Sequence, residues 1–288
     1  MKEFFAKYRR RILIFLAVFG PATIAAVSDN DAAGVATYSM AGARLGYPIL
    51  FVLGIITILL GVTQEMGIRL ALVSRKGLAD HIRENHGLKV AVLMFLCLFI
   101  ANVGTIATNI SAVKTSSTIL HIPPYVAIIA VIILAFLFVT RGNFRFNQNI
   151  MLLVSLFYLT YIFSAFLAKP DWLLAVSNLI FPHGVKFSLT YIKDYFIIGL
   201  GVLGTTITPW GQFFISSFAF DKKIEVDKLK YSQLETYSGA FLTDFFSFFM
   251  IVATAATLFM HGIPLESGEQ AAMAIAPFAG ESASTIFA

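Results

Sequence analysis

The sequence predicts an all-α, polytopic membrane protein, and three observations predict it. Hydrophobic residues make up 58% of the 288 residues and charged residues only 13%. The mean hydropathy is +0.82, which no soluble domain of ordinary composition reaches. The apolar residues gather into about seven segments, plus the start of an eighth, each near the ~20 residues that a bilayer-crossing helix needs. The net charge of +5 is carried by basic residues in short connections, as membrane orientation demands, so nucleic acid is not an expected partner. The single cysteine, Cys97, lies in an apolar run and is read as packing.

Segment one runs from about Ile12 to Gly42 and is broken in the middle. Lys2, Lys7 and Arg9 to Arg11 precede it, and no small-residue cleavage site closes a short apolar region, so a cleaved signal is not expected. Segment two runs from about Pro48 to Leu72, followed by the polar loop Ser74 to Lys89. Segment three runs from Val90 to Leu120, where Pro123-Pro124 ends it. Segment four covers Tyr125 to Thr140 and, after the polar turn Arg141 to Asn149, segment five covers Ile150 to Leu167. The connection from Lys169 to Tyr191 carries Pro170, Pro182 and Trp172, the last read as an interfacial anchor. Segment six runs from Asp194 to Phe220, the charged loop from Asp221 to Gln233 and segment seven from Tyr237 to Met260. The eighth begins near Gln270. With alternating spans and a cytoplasmic N-terminus, most of the 21 Lys and Arg residues fall on the cytoplasmic side.

The first break, Ser28-Asp29-Asn30-Asp31-Ala32-Ala33-Gly34, puts two carboxylates and an amide where a membrane helix should be apolar. A charge at bilayer depth costs at least about 2.5–3.5 kcal/mol and is kept only beside a water-filled cavity or an ion site. Unwound backbone in a bilayer is tolerated on the same terms. Segment six carries the second break, Gly204-Thr205-Thr206-Ile207-Thr208-Pro209-Trp210-Gly211-Gln212. Pro209 removes a backbone donor, while the threonines and Gln212 supply polar oxygens. Interruptions at matching places in two halves of a chain point to a transport site, where unwound carbonyls coordinate cations. Asp29 serves equally as a ligand or as a helix cap. Asp244, among the phenylalanines of segment seven, either lines a pathway or pairs with another helix. Asn102 and Asn109 of segment three read as interhelical hydrogen-bonding residues. Gln64 and Glu65, with Arg69 at helical spacing from Glu65, either pair at an inner gate or, the preferred reading, form an ordinary interfacial pair. There is no phosphate-cradling loop, and the chain is not read as an enzyme.

Gly20-Pro21, Asp31, Ala36-Thr37, Ala41-Gly42-Ala43 and Gly46-Tyr47 resemble the first helix of the Nramp divalent-metal transporters. Gln64, Arg69-Leu70 and Lys76-Gly77-Leu78-Ala79-Asp80 resemble the end of that family's second helix, and Gln270 to Ala288 the opening of its eighth. The resemblance implies a leucine-transporter-type inverted-repeat fold. Residues 1–288 are then one transmembrane domain that lacks its C-terminal part. Residues 12–168 form the first five-helix repeat, and 194–288 start the second, inverted one. It implies a multi-pass protein of the cell membrane whose partners are the lipid bilayer and a divalent metal ion, with no resident cofactor; it gives no oligomeric state.

The departures from the family pattern set the chemistry. Its metal-binding Asp matches Asp31, its Asn matches Gly34, and its sixth-helix Met-Pro-His-Asn matches Thr208-Pro209-Trp210-Gly211. Two third-helix acids of proton-coupled members align with Thr105 and Thr108. This is similar to the Nramp-related magnesium transporters. Oxygen ligands suit magnesium or manganese, whereas a thioether favours softer metals. The expected metal site is therefore Asp31 and Thr208, with Ser28, Thr205 and Asp29. Its expected substrate is Mg2+, or Mn2+, imported without proton coupling. The alternatives are a proton-coupled manganese or iron importer and a non-transporting membrane sensor.

Overall fold

The computed structural model describes residues 30–142, 146, 149–151, 153, 155–185, 187–263 and 265. Among them every regular element is helical. In chain order these are α1 (Ala32–Leu45), a 3-10 turn (Tyr47–Ile49), α2 (Leu50–Ser74), α3 (Leu78–Ile119) and α4 (Pro124–Arg141). A second 3-10 turn (Ser155–Tyr158) leads into α5 (Leu159–Leu167), followed by α6 (Trp172–Asn178), α7 (Leu189–Thr206) and α8 (Pro209–Asp221). After a third 3-10 turn (Val226–Lys228), α9 (Leu229–Thr254) runs into a π-helical turn (Ala255–Phe259). Among the described residues, five stretches are long and apolar enough to cross a membrane: Tyr47–Ser74, Leu78–Thr118, Pro124–Arg141, Asn149–Leu167 and Val226–Phe259. The first half of segment one and the eighth segment lie outside the described residues.

Segment boundaries differ from the expectation where polar helix extends past the apolar run. The third helix starts at Leu78, not near Val90, because residues before Gly87 form their own polar turns. There Lys76 Nζ pairs with Glu84 at 2.7 Å, and Asp80 lies in the first turn, where the helix dipole favours an acid. Gly87 then breaks the helix at φ 82, ψ 169, a conformation that a side chain resists. The expected connection after Lys169 contains α6. Asp171 Oδ1 caps it by accepting from the Leu174 amide at 3.0 Å, and the Trp172 ring packs on Phe166 at 4.7 Å and Phe249 at 6.0 Å.

The described residues fall into two compact units, one holding Thr57–Asn102 and Ile207–Thr243, the other Asn30–Ile56, Val103–Thr206 and the residues from Asp244 on. Each draws on both proposed repeats. In the first unit, Ile68, Ala71 and Leu72 of α2 pack on Ile215 and Ala219 of α8, with Ile224 and Leu229 against them. Helices in lipid gain no hydrophobic drive from meeting, so close packing and interhelical hydrogen bonds must hold them. Glu65 supplies such bonds. It is 3% exposed, and its Oε1 accepts from Arg69 Nε at 2.9 Å, Arg69 Nη2 at 2.7 Å and Gln233 Nε2 of α9 at 2.6 Å. This is a buried junction of α2 and α9, beyond the ordinary interfacial pair that the sequence suggested. Glu65→Leu is expected to cost about 1–2 kcal/mol in thermal unfolding, mainly because Gln233 loses its acceptor. The Arg69 charge is 58% exposed and hydrates when the pair is broken, so Arg69→Ala should cost less.

In the second unit, α1 packs on α7 and on the π turn that follows α9. At Gly42 the backbone of α1 comes against Ile251 and Thr254 so closely that a Cβ would overlap the Ile251 carbonyl and the Thr254 hydroxyl. The corner between α1 and α2 is held by two tyrosines of α7. Tyr191 Oη donates to the Leu45 carbonyl at 3.1 Å, and Tyr195 Oη donates to that of Pro48 at 2.9 Å.

Candidate cation site

Asp31 is the N-cap of α1. Its backbone is extended at φ −70, ψ 179, and Oδ1 accepts from the Gly34 amide at 2.9 Å. The cap satisfies one of the orphan amides at the helix start, and the positive end of the dipole faces the carboxylate. The second oxygen, Oδ2, accepts from Asn109 Nδ2 of α3 at 3.1 Å. The neighbouring Asn30 is 3% exposed and fixed from two sides. Ser247 Oγ of α9 donates to its Oδ1 at 3.0 Å, and Tyr158 Oη donates to its carbonyl at 3.1 Å. The Tyr158 ring lies 5.4 Å from that of Phe246. Asn30 and Asp31 at the start of α1 are therefore tied to three other parts of the second unit.

The break in segment six is present. Helix α7 ends at Thr206 and α8 starts at Pro209, the residue best suited to open a helix. Thr208 is the N-cap, extended at φ −69, ψ 137, and its hydroxyl makes no capping bond. Ending the ladder there leaves the last carbonyls of α7 without intrahelical partners, as cation coordination needs. Thr205 lies in the last turn of α7 and is partly buried. Thr206, one of the three threonines of the second break, commits its oxygen within the fold. Its hydroxyl donates to the Val202 carbonyl at 2.8 Å and, at 2.7 Å, takes the proton of buried Tyr38 of α1. Tyr38→Phe should cost about 1 kcal/mol in thermal unfolding, the usual worth of one such bond.

Asp31 and Thr205 belong to the second unit and Thr208 to the first, while Ser28 and Asp29 lie outside the described residues. Asp244 is 3% exposed, lies three residues before Ser247 on α9 and belongs to the second unit. On α3, Thr108 turns its hydroxyl back on the Gly104 carbonyl at 3.1 Å, so the residue that reaches Asp31 is its neighbour Asn109. Sequence reading marked Asn109 as an interhelical hydrogen-bonding residue without finding its partner. In the matched second break, Trp210 packs edge-on against Phe214 at 6.0 Å. Asp31 and Asn109 line one open cavity of about 530 Å³ with Ser116, Ser117, Ile122 and Val131.

The natural resistance-associated macrophage protein-like (Nramp) family profile matches residues 22–288. The chain is 25% identical over 290 residues to the divalent metal cation transporter MntH of Verminephrobacter eiseniae, covering 97% of this chain and 64% of that one. It is 30% identical over 210 residues to MntH of Staphylococcus aureus, covering 70% of this chain and 45% of the relative. The chain thus spans less than two thirds of the length of these relatives. Among solved structures it is similar to the manganese transporter of Eremococcus coleocola bound to an aromatic bis-isothiourea substituted compound. The TM-score is 0.75 and the identity 20%, over 95% of this chain and 60% of that one. A mutant form of that transporter matches at a TM-score of 0.69 and 21% identity. The expected leucine-transporter-type fold is the one they share.

Proposed function

The chain belongs to the Nramp family and is a multi-pass integral membrane protein; from that premise we propose that it imports a hard divalent cation, Mg2+ foremost, without coupling to protons. One observation carries this proposal: the Asp31 carboxylate caps the start of α1 and meets a neutral amide, Asn109, from α3. A carboxylate, an amide and hydroxyls are hard donors that suit magnesium or manganese. Magnesium dehydrates reluctantly and keeps several waters. The cavity of about 530 Å³ beside Asp31 has room for them, since six waters occupy about 180 Å³ at their liquid volume of ~30 Å³ each. Within the second unit, Asp31 would hold the ion, and the cavity beside it would hold the ion's remaining waters.

Downhill import needs no second ion. A divalent cation gains about 4.6 kcal/mol from 100 mV of inward-negative potential, worth roughly three orders of magnitude in concentration. With the N-terminus in the cytoplasm, that gradient points inward across the cell membrane. A manganese substrate is the second reading, favoured by the solved relative's being a manganese transporter. The deciding measurement is flux in proteoliposomes carrying the full chain, with Mg2+, Mn2+ and Cd2+ offered separately and internal pH followed. Mg2+ uptake with no proton movement is expected. Obligatory acidification, or Cd2+ uptake exceeding Mg2+, would refute the proposal in favour of a proton-coupled transition-metal importer, and cation binding without flux would favour a sensor.

A further inference from the structure

Resting on the cation-transport function proposed above, we infer that Asn109 is a direct oxygen ligand of the transported cation, exchanging its hydrogen bond to Asp31 for metal coordination. An asparagine amide carries two donors and a carbonyl with two acceptor positions. One donor is used, by Asp31 Oδ2 at 3.1 Å. The carbonyl Oδ1 is fully buried and has no hydrogen-bond partner among the described residues. A buried acceptor left unmatched costs free energy, and it survives where something outside the chain satisfies it. The Asn109 residue lines the same cavity as Asp31.

The distance fits the exchange. In an octahedral magnesium shell with oxygens at about 2.1 Å from the metal, adjacent ligands lie about 3 Å apart. The separation of Asp31 Oδ2 and the Asn109 amide is 3.1 Å. Rotating the amide about its terminal torsion puts Oδ1 where Nδ2 now stands, without moving α3. Without a cation, carbonyl and carboxylate repel, so the N–H faces Asp31. With a cation between them, both oxygens attract it and the amide turns. Because Oδ1 of Asp31 is held by the Gly34 amide, Oδ2 is the atom left to share the ion with Asn109.

The test is Mg2+ flux and Mg2+ binding calorimetry on the full chain, with Asn109→Leu and Asn109→Cys. The leucine is of similar size and lacks the oxygen, so the half-saturating Mg2+ concentration should rise at least tenfold. The cysteine replaces a hard donor by a soft one, so the preference for Cd2+ over Mg2+ should rise at least tenfold over the parent chain. A residue that merely orients Asp31 would not change which metal is preferred. An unchanged Cd2+ to Mg2+ ratio in the cysteine variant overturns the assignment, and that variant decides the matter should the leucine variant not fold. If the parent chain moves and binds Mg2+ through Asp31 while both variants behave like it, only the role of Asn109 falls. If the parent chain neither moves nor binds a divalent cation, the proposed function falls with it.

Discussion

Asp31→Asn is expected to cut divalent-cation flux at least tenfold while leaving the fold intact. The pair of outcomes follows from the two jobs of one side chain. As N-cap, Asp31 accepts from the Gly34 amide, and asparagine caps a helix about as well as aspartate, so thermal unfolding should shift by no more than about 0.5 kcal/mol. As ligand, it supplies the charge. At an effective dielectric near 20, a divalent ion ~4 Å from a carboxylate gains about 8 kcal/mol before desolvation is subtracted. If even a fifth of that survives, it exceeds the ~1.4 kcal/mol that a tenfold loss requires. Asp31→Ala removes both functions and should add about 1 kcal/mol of instability to the same loss of flux. Flux at the parental rate in a folded Asp31→Asn protein would remove Asp31 from the site.

Gly42→Leu should prevent the chain from assembling, and Gly42→Ala should cost about 2–3 kcal/mol in detergent-solubilised unfolding, at the upper end of overpacking effects. The atoms that a new Cβ meets are the Ile251 carbonyl and the Thr254 hydroxyl. The hydroxyl sits on a side chain bonded to the carbonyls of Met250 and Ile251, both at 3.1 Å, so even that group does not swing away freely. The carbonyl is backbone in the ladder of α9 and cannot yield without opening it. Thr254→Ala in the Gly42→Ala background should therefore restore only part of the loss. Full rescue, or an unaltered melting temperature in Gly42→Ala, would show that the two helices are less tightly opposed than the structure has them.

The long spans, the helix start at Asp31 and the interruption at Pro209 were legible in the sequence, each for a plain reason. A run such as Tyr125 to Thr140 has no alternative to a membrane helix, and Asp31 and Pro209 stand out because an apolar helix has no use for them. What stayed hidden depends on residues far apart in the chain. Nothing local shows that Asn109 reaches Asp31, that Ser247 and Tyr158 fix Asn30, or that Glu65 is buried against Gln233. The short helix Trp172–Asn178 and the polar turns before Gly87 escaped because hydropathy marks lipid-soluble helix and passes over the rest. Nor does composition show that the Thr206 hydroxyl is committed to Tyr38 as well as to its own helix.

The Tyr38–Thr206 bond has a mechanical consequence. It fastens the stretch leaving the first interruption to the stretch arriving at the second, at a buried point where no water can substitute for either oxygen. These two rods are therefore coupled: a tilt of one carries the other with it.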